Sequence, residues 1–330
     1  AGTDATPVSA GGNGGAGGAG APGVAGAGAP NTITATISVG ARPNGVAVSP
    51  DGRYAYITNT NDTVSVINTA TNQVIATIDG LTNPTGVAIS PNGGYAYVTG
   101  LRAVSVIDTA TNTVIATIGG FNGADGVAVS PDGRYAYVTD YSGTTVSVID
   151  TATNQVTVIE GFNRPPRVAV GPDGRYFYVT NLGGGTVSVL DTATNAIAAT
   201  IGGFSRPWGV AVDPDGRLLY VTDIDADTVS VLDTATNQVM ATIGGLDGPR
   251  GVVVGPDGRH VYITNDLGDT VSVLDTATNQ VVATIGGFDD PREVAVSPDG
   301  TRVYVANDGG SDTVSVLDTA SGAGGNGGAG

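Results

Sequence analysis

Arginine is the residue type in this chain whose placement could do chemistry. Arg42, Arg164, Arg167, Arg206, Arg250 and Arg292 each stand beside a proline, or close to the residue that replaces one, at intervals along the chain. They are six of the 13 basic residues, none of which is lysine. A guanidinium presents a planar fork of donors that matches a carboxylate or a phosphate. Gathered in one place, these six would hold an anionic small ligand or an acidic side chain of a protein partner. Paired with nearby acids such as Asp125, Asp289, Asp290 and Glu293, they would be structural instead. Trp208, the only tryptophan, lies two residues after Arg206 and is either a contact anchor or a packing residue beneath a loop.

Other candidates are fewer. Asp223-Ile224-Asp225-Ala226-Asp227 opens like a calcium loop, but Thr228 stands where a glycine is needed and Thr234 where a bidentate glutamate is needed. An EF-type site is excluded. A weaker calcium site using Asp223, Asp225 and Asp227 with a neighbouring segment is the one metal expectation, and no other cofactor is expected. His260 is the only histidine and cannot build a metal cluster by itself. There is no cysteine, which removes thiolate catalysis, disulfides and cysteine-ligated metals. No haem attachment motif, nucleophile elbow, phosphate loop or HExxH occurs.

The net charge of −17 opposes nucleic acid and anionic membrane surfaces, both of which require a basic footprint. No uncharged apolar run approaches the roughly 18 residues a spanning helix needs. The chain starts at Ala1 and shows no basic region leading into an apolar one, so a processed or excised segment is expected.

What positions the arginines is a repeat. A Pro-(Asp/Asn)-Gly signal recurs at Pro50, Pro91, Pro131, Pro172, Pro214, Pro256 and Pro298, in steps of 41, 40, 41, 42, 42 and 42 residues. Each unit holds four short runs rich in Val, Ile, Tyr and Thr, none with helical period. In the first unit they are Gly45–Val48, Tyr54–Thr58, Thr63–Ile67 and Val74–Ile78, read as strands A to D of an antiparallel meander. Proline and glycine make the A–B turn, and the Asn-Thr-Ala-Thr-Asn stretch closes the C–D hairpin through Asx-type bonds. In Val127-Ala128-Val129 and Val146-Ser147-Val148 large residues alternate with small ones, rather than apolar with charged. That suits sheets packed on both faces, stacked radially as the blades of a propeller.

Six units end in a fourth strand, the last at Asn279–Ile285, whereas the seventh runs into glycine after Asp318-Thr319-Ala320. The missing strand is Asn31–Ile37 at the other end of the chain. The expectation is an all-β, seven-bladed propeller of four-stranded antiparallel blades over residues 31–320, a monomeric ring closed by its N-terminal strand. Residues 1–30 and 321–330 are low-complexity Gly/Ala-rich segments, read either as flexible linkers or as extended glycine arrays.

The strand B core is Tyr-(Val/Ile)-Thr-Asn, complete at Tyr178-Val179-Thr180-Asn181 and with isoleucine at Tyr56–Asn59 and Tyr262–Asn265. With the flanking PDGR and TVSVIDTATN it resembles the YVTN-family β-propeller repeats of bacterial and archaeal surface proteins. The flanks resemble the glycine-alanine tracts of mycobacterial PE-PGRS proteins. The resemblance implies export and display at the cell surface or envelope. Related propeller families include lactonases and lyases, but a fold does not carry an activity.

In the expected topology the A–B and C–D turns share one face and repeat nearly verbatim, while the D–A and B–C loops share the other and vary. The six arginines and Trp208 belong to the D–A loops around the channel mouth. The outer B–C loops carry acids such as Asp140, Asp266, Asp269, Asp308 and Asp312, with Tyr141, Leu182, Ile224 and Leu267 expected to pack between blades. The leading expectation is a non-enzymatic, surface-displayed or exported module that binds through this face. The alternatives are a lactonase- or lyase-like enzyme with a divalent cation at the mouth, and a passive spacer.

Overall fold

The computed structural model describes residues 31–319, so both glycine-rich flanks lie outside the described residues. Within them are seven four-stranded antiparallel sheets. Blade one runs β2 (Pro43–Val48), β3 (Tyr54–Asn59), β4 (Thr63–Asn68) and β5 (Gln73–Ile78), hydrogen-bonded in that order. Five more blades repeat this order over 87–119, 124–160, 168–202, 207–243 and 249–286. Blade seven is different. Its sheet runs β26 (Pro291–Val296), β27 (Arg302–Asn307), β28 (Thr313–Asp318) and then β1 (Thr32–Ser38). The displaced strand is where the sequence puts it, with Ile37 opposite Val314 and Ser38 opposite Thr313.

The first strands of the blades stand beside one another around the central channel, β2 between β26 and β6 (Val87–Ile89). The alternation of large and small residues explains how neighbouring blades mesh. Tyr56 of blade one lies in one cluster with Ala96 and Val98 of blade two, Tyr97 with Ala136 of blade three, and Tyr304 of blade seven with Ala55 of blade one. All are essentially inaccessible to solvent. The core is therefore seven inter-blade layers, and the layer between blades seven and one includes Ile37 of β1.

The uniform face is built from local bonds. In Ser49-Pro50-Asp51-Gly52 the Gly52 amide donates to the Ser49 carbonyl at 2.8 Å, with Gly52 at φ 72°. The Asp51 carboxylate accepts from the Ser49 hydroxyl at 2.6 Å and from the Arg53 amide at 3.0 Å. In the C–D turn Asp108 accepts from the amides of Ala110 and Thr111 at 3.0 and 2.9 Å, and Asn112 takes φ 54°. Thr109 then donates to the Gly93 carbonyl at 2.5 Å, tying the two turns of the blade together. His260, the first residue of β23 (His260–Asn265), pairs in register with Asp275 at this end of its blade, away from the variable loops.

Candidate functional site

The variable face is positioned by the strand B motif. Its threonine bridges blades. Thr264 Oγ1 accepts from the Gly251 amide at 2.8 Å and donates to the Arg292 carbonyl of the next blade at 2.6 Å. Thr58, Thr99, Thr139 and Thr222 do the same, reaching the carbonyls of Thr85, Asp125, Pro166 and Arg250. The asparagine that follows in blades one, four, six and seven donates to a serine and a threonine of the neighbouring strand, as Asn265 does to Ser272 and Thr270 at 2.9 Å each. Buried apolar residues such as Leu81, Phe162, Leu246 and Phe288 anchor the D–A loops from below.

This scaffold creates two rings of equivalent positions at the channel mouth. The first holds Gly45, Gly86, Gly126, Arg167, Gly209, Gly251 and Glu293. Glycine is required there by close approach: a Cβ on Gly209 would lie 2.2 Å from the Arg250 carbonyl oxygen, and one on Gly45 2.4 Å from that of Thr85. Only blades four and seven depart from it, and their two side chains meet. Arg167 donates from Nε to Glu293 at 2.6 Å, three blades away across the channel, and its Nη1 lies 2.8 Å from Asp125. Burial alone would depress the Arg167 guanidinium, but Asp125 and Glu293 more than offset this and hold it above the ordinary arginine value.

The second ring, one residue earlier in each blade, holds Asn44, Thr85, Asp125, Pro166, Trp208, Arg250 and Arg292. Except for Pro166, all of these line a single cavity of about 240 Å³, together with Arg167, Glu293, Asn83, Leu101, Tyr141 and Ser142. Trp208 is only 9% exposed. The guanidinium carbons of Arg250 and Arg167 lie 4.6 and 5.5 Å from its ring centre, and the Tyr141 ring is 5.7 Å away. The tryptophan is thus both packed and part of the cavity wall. Arg250 bonds through Nε to Asp266. Burial, with repulsion from Arg292 and Arg167, pushes it down to about 10, against the opposing pull of Asp290 and Glu293. Arg292 lies 3.1 Å from both Asp290 and Asp308.

Of the six arginines expected at the mouth, the structure brings three into the cavity and leaves three outside. Arg42 bonds Asp308 at 3.0 Å with its side chain 62% exposed. Arg164 donates to the Tyr141 hydroxyl at 2.8 Å, and Arg206 bonds Asp225 at 2.9 Å on the surface. Arg42 and Arg164 sit at φ 50° and 51°, at a turn position that other blades fill with Asn83, Gly123, Gly248 and Asp290. Those arginines belong to the loop backbone rather than to the mouth. A bare basic mouth is not what forms. Arg167, Arg250 and Arg292 meet Asp125, Asp266, Asp290, Glu293 and Asp308, three formal positive charges against five negative.

The three aspartates of the expected calcium site do not converge. Asp223 is buried and accepts from the Ser205 and Arg206 amides at 2.6 and 2.8 Å. Asp225 bonds Arg206, and Asp227, at φ 53°, accepts from the Gly248 amide at 2.9 Å. Among the described residues no group of three or more His, Cys, Asp or Glu side chains is placed to hold a metal ion. Leu267 also departs from expectation: it is 72% exposed, whereas Leu182 is buried.

A family model described as lactonase, 7-bladed beta-propeller, matches residues 151–325, more than half of the chain. The chain belongs to that family. A model of the cytochrome D1 heme domain matches residues 56–170. No curated protein matches. Among solved structures, hydrazine synthase of Kuenenia stuttgartiensis superimposes with a TM-score of 0.78 and 23% identity, over 90% of this chain and 99% of that one. At that identity the likeness is one of fold.

Sequence reading missed Asn44 and Thr85 as members of the mouth, and named Asp125 and Glu293 as acids that pair with its arginines, which is what Arg167 does with both. The signal that finds them is alignment of the seven units by column. One column reads glycine except for one arginine and one glutamate, and the column before it is the most varied of the strand.

Proposed function

We propose that this propeller is an exported binding module that takes a small polar ligand in the mouth cavity of its loop face. One observation carries the reading: the ring of Asn44, Thr85, Asp125, Trp208, Arg250 and Arg292 varies within a frame that otherwise repeats, and all six line one cavity. Side chains that only close hairpins can be uniform, while a site for an asymmetric molecule has reason to vary. The cavity is built for contact rather than for turnover. Of its hydroxyls, Thr85 bonds Thr99 and the Ala124 carbonyl, and neither it nor Ser142 bonds a carboxylate or histidine that could act as a base. The resemblance of the repeats to YVTN-family surface propellers, and of the flanks to PE-PGRS tracts, supports export and display.

A second reading, an enzyme acting on a lactone, is favoured by the family match over 151–325. Haem chemistry, suggested by the cytochrome D1 match, finds few donors at the mouth: of the axial ligand types His, Cys, Met and Tyr, only Tyr141 lines the cavity, and its hydroxyl already accepts from Arg164 at 2.8 Å. His260 is at the opposite end of its blade, and Met240 is 63% exposed on an outer strand. To separate binding from turnover, sugar-acid lactones are incubated with the protein, with and without chelator, while ring opening and Trp208 emission are followed. Saturable emission change without ring opening is the expected result. Ring opening that is lost in Asp125→Asn or Glu293→Gln would overturn it in favour of the enzyme. Display is checked by protease accessibility on intact cells, where complete protection would remove that part of the reading.

A further inference from the structure

We propose that the mouth cavity selects a small zwitterion, such as a free α-amino acid, with the carboxylate on Arg250 and the ammonium between Asp125 and Glu293. This deepens the binding reading above and rests on it.

The groups left over after internal pairing carry the inference. Arg250 engages Asp266 through Nε, and neither of its Nη atoms hydrogen-bonds a described residue. The Nε contact and the Trp208 ring 4.6 Å from the guanidinium carbon fix the fork in place, so the two Nη donors are oriented before any ligand arrives. Asp125 and Glu293 each meet Arg167 through one oxygen, at 2.8 and 2.6 Å. The second oxygen of each has no hydrogen bond to a described residue, and both side chains line the same cavity as Arg250. One wall therefore holds unused donors on a cation, and another holds unused acceptors on two anions.

Charge selects among ligand classes. A simple anion that reaches Arg250 also meets Asp125 and Glu293. A simple cation that reaches those carboxylates meets Arg250, Arg292 and Arg167. A molecule carrying both charges and neutral overall satisfies each wall and leaves the balance of the mouth unchanged. Burial and the neighbouring guanidiniums already press on Arg250, a strain that an incoming carboxylate relieves. Size narrows the class further. The cavity of about 240 Å³ is smaller than the ~300–1,000 Å³ typical of drug-sized ligands. Leu101, Tyr141 and Trp208 give a compact apolar side chain something to rest on.

The test is a binding panel on the full chain, read by calorimetry and by Trp208 emission. The panel holds the common L-amino acids, the decarboxylated amine and the deaminated acid of each one that binds, and a neutral sugar lactone. At least one amino acid is expected to bind, with either truncated analogue weaker by about 30-fold or more. Arg250→Gln should remove the difference between the amino acid and its amine, and Asp125→Asn should reduce that between the amino acid and its acid. Asp125→Asn is isosteric, Arg250→Gln keeps the stem and a polar end, and a melting curve for each checks that the ring is intact. Binding of the acid or the amine alone as tightly as the amino acid overturns the zwitterion. Binding of the lactone without any amino acid also overturns it, while leaving the binding reading standing. If nothing in the panel gives heat or moves the emission, both readings fall.

Discussion

Arg167→Met tests whether the mouth is tied across the channel. Methionine keeps the apolar stem that runs past Trp208 and removes the guanidinium. Asp125 and Glu293, whose side chains are 14% and 21% exposed, then lose the cation they share. Stranding a buried charge typically costs about 3–5 kcal/mol. The cavity is open to solvent, so the two carboxylates regain some water, and the lower figure of about 3 kcal/mol is the better one here. A ring of this length unfolds with an entropy of roughly 0.6 kcal/mol per kelvin, so Tm should fall by about 5 °C. Glu293→Gln in the same background removes one of the stranded charges and should recover on the order of 1–2 kcal/mol. Denaturant melts followed by circular dichroism and by emission of the single tryptophan give all four corners of the cycle. Two singles that add to the double within about 0.5 kcal/mol would refute a cross-channel bond. So would an Arg167→Met protein as stable as the parent.

Four further outcomes follow from the same structure. Thr264→Val should cost about 1–3 kcal/mol, because the buried Gly251 amide and Arg292 carbonyl both lose their partner. Ala306→Thr, which restores the motif in blade seven, should fail to stabilise unless Glu293→Gly accompanies it, and thermal melts of the three proteins decide this. Deleting residues 31–37 should expose an edge of β28 and lower Tm for the whole ring, and an unchanged Tm would refute the closure. Stability should fall at both extremes of pH. Asp51 and Asp132 are held below 3.8 by the Ser49 and Ser130 hydroxyls and the following amides, so their contribution is present above about pH 4 and lost as pH falls further. Burial pushes Tyr56, Tyr137, Tyr178, Tyr220 and Tyr262 up from 10.0 to about 12, so their contribution is complete below pH 10 and lost as pH rises through that interval. Ultraviolet titration should show these five ionising late, and a single transition near pH 10 in the folded protein would contradict their burial.

The blade count, the turns and the displaced strand were legible because each is written locally: a period of two, a Pro-Asp-Gly turn, a missing fourth run. The mouth was harder, because arginines grouped by their distance from a proline mix two positions with different duties. Arg42 and Arg164 occupy a left-handed turn position, whereas Arg250 and Arg292 stand two residues later on the inner strand and face the cavity. That Arg167 reaches Glu293 requires a closed ring, since 126 residues separate them in sequence.

One of the two exceptions to glycine also explains an irregularity elsewhere in the repeat. A Cβ at the ring position of Gly251 would meet the Thr264 hydroxyl at 3.0 Å and the Arg292 carbonyl oxygen at 2.5 Å. A blade that carries a side chain there must relieve that contact. Blade seven does so by replacing the threonine with Ala306, which gives up its bridge to blade one, where β1 pairing with β28 closes the seam instead. Blade four keeps Thr180 and its bond to the Trp208 carbonyl at 2.7 Å, and its first strand, β14 (Val168–Val170), is as short as β6 of blade two, which carries Gly86. Both departures give up the ring glycine for one charged side chain at the channel. A repeat under pressure only to close its ring would have no reason to make that trade twice, in two blades whose side chains then bond each other. That coincidence is the physical ground for placing function at the mouth rather than on the turns.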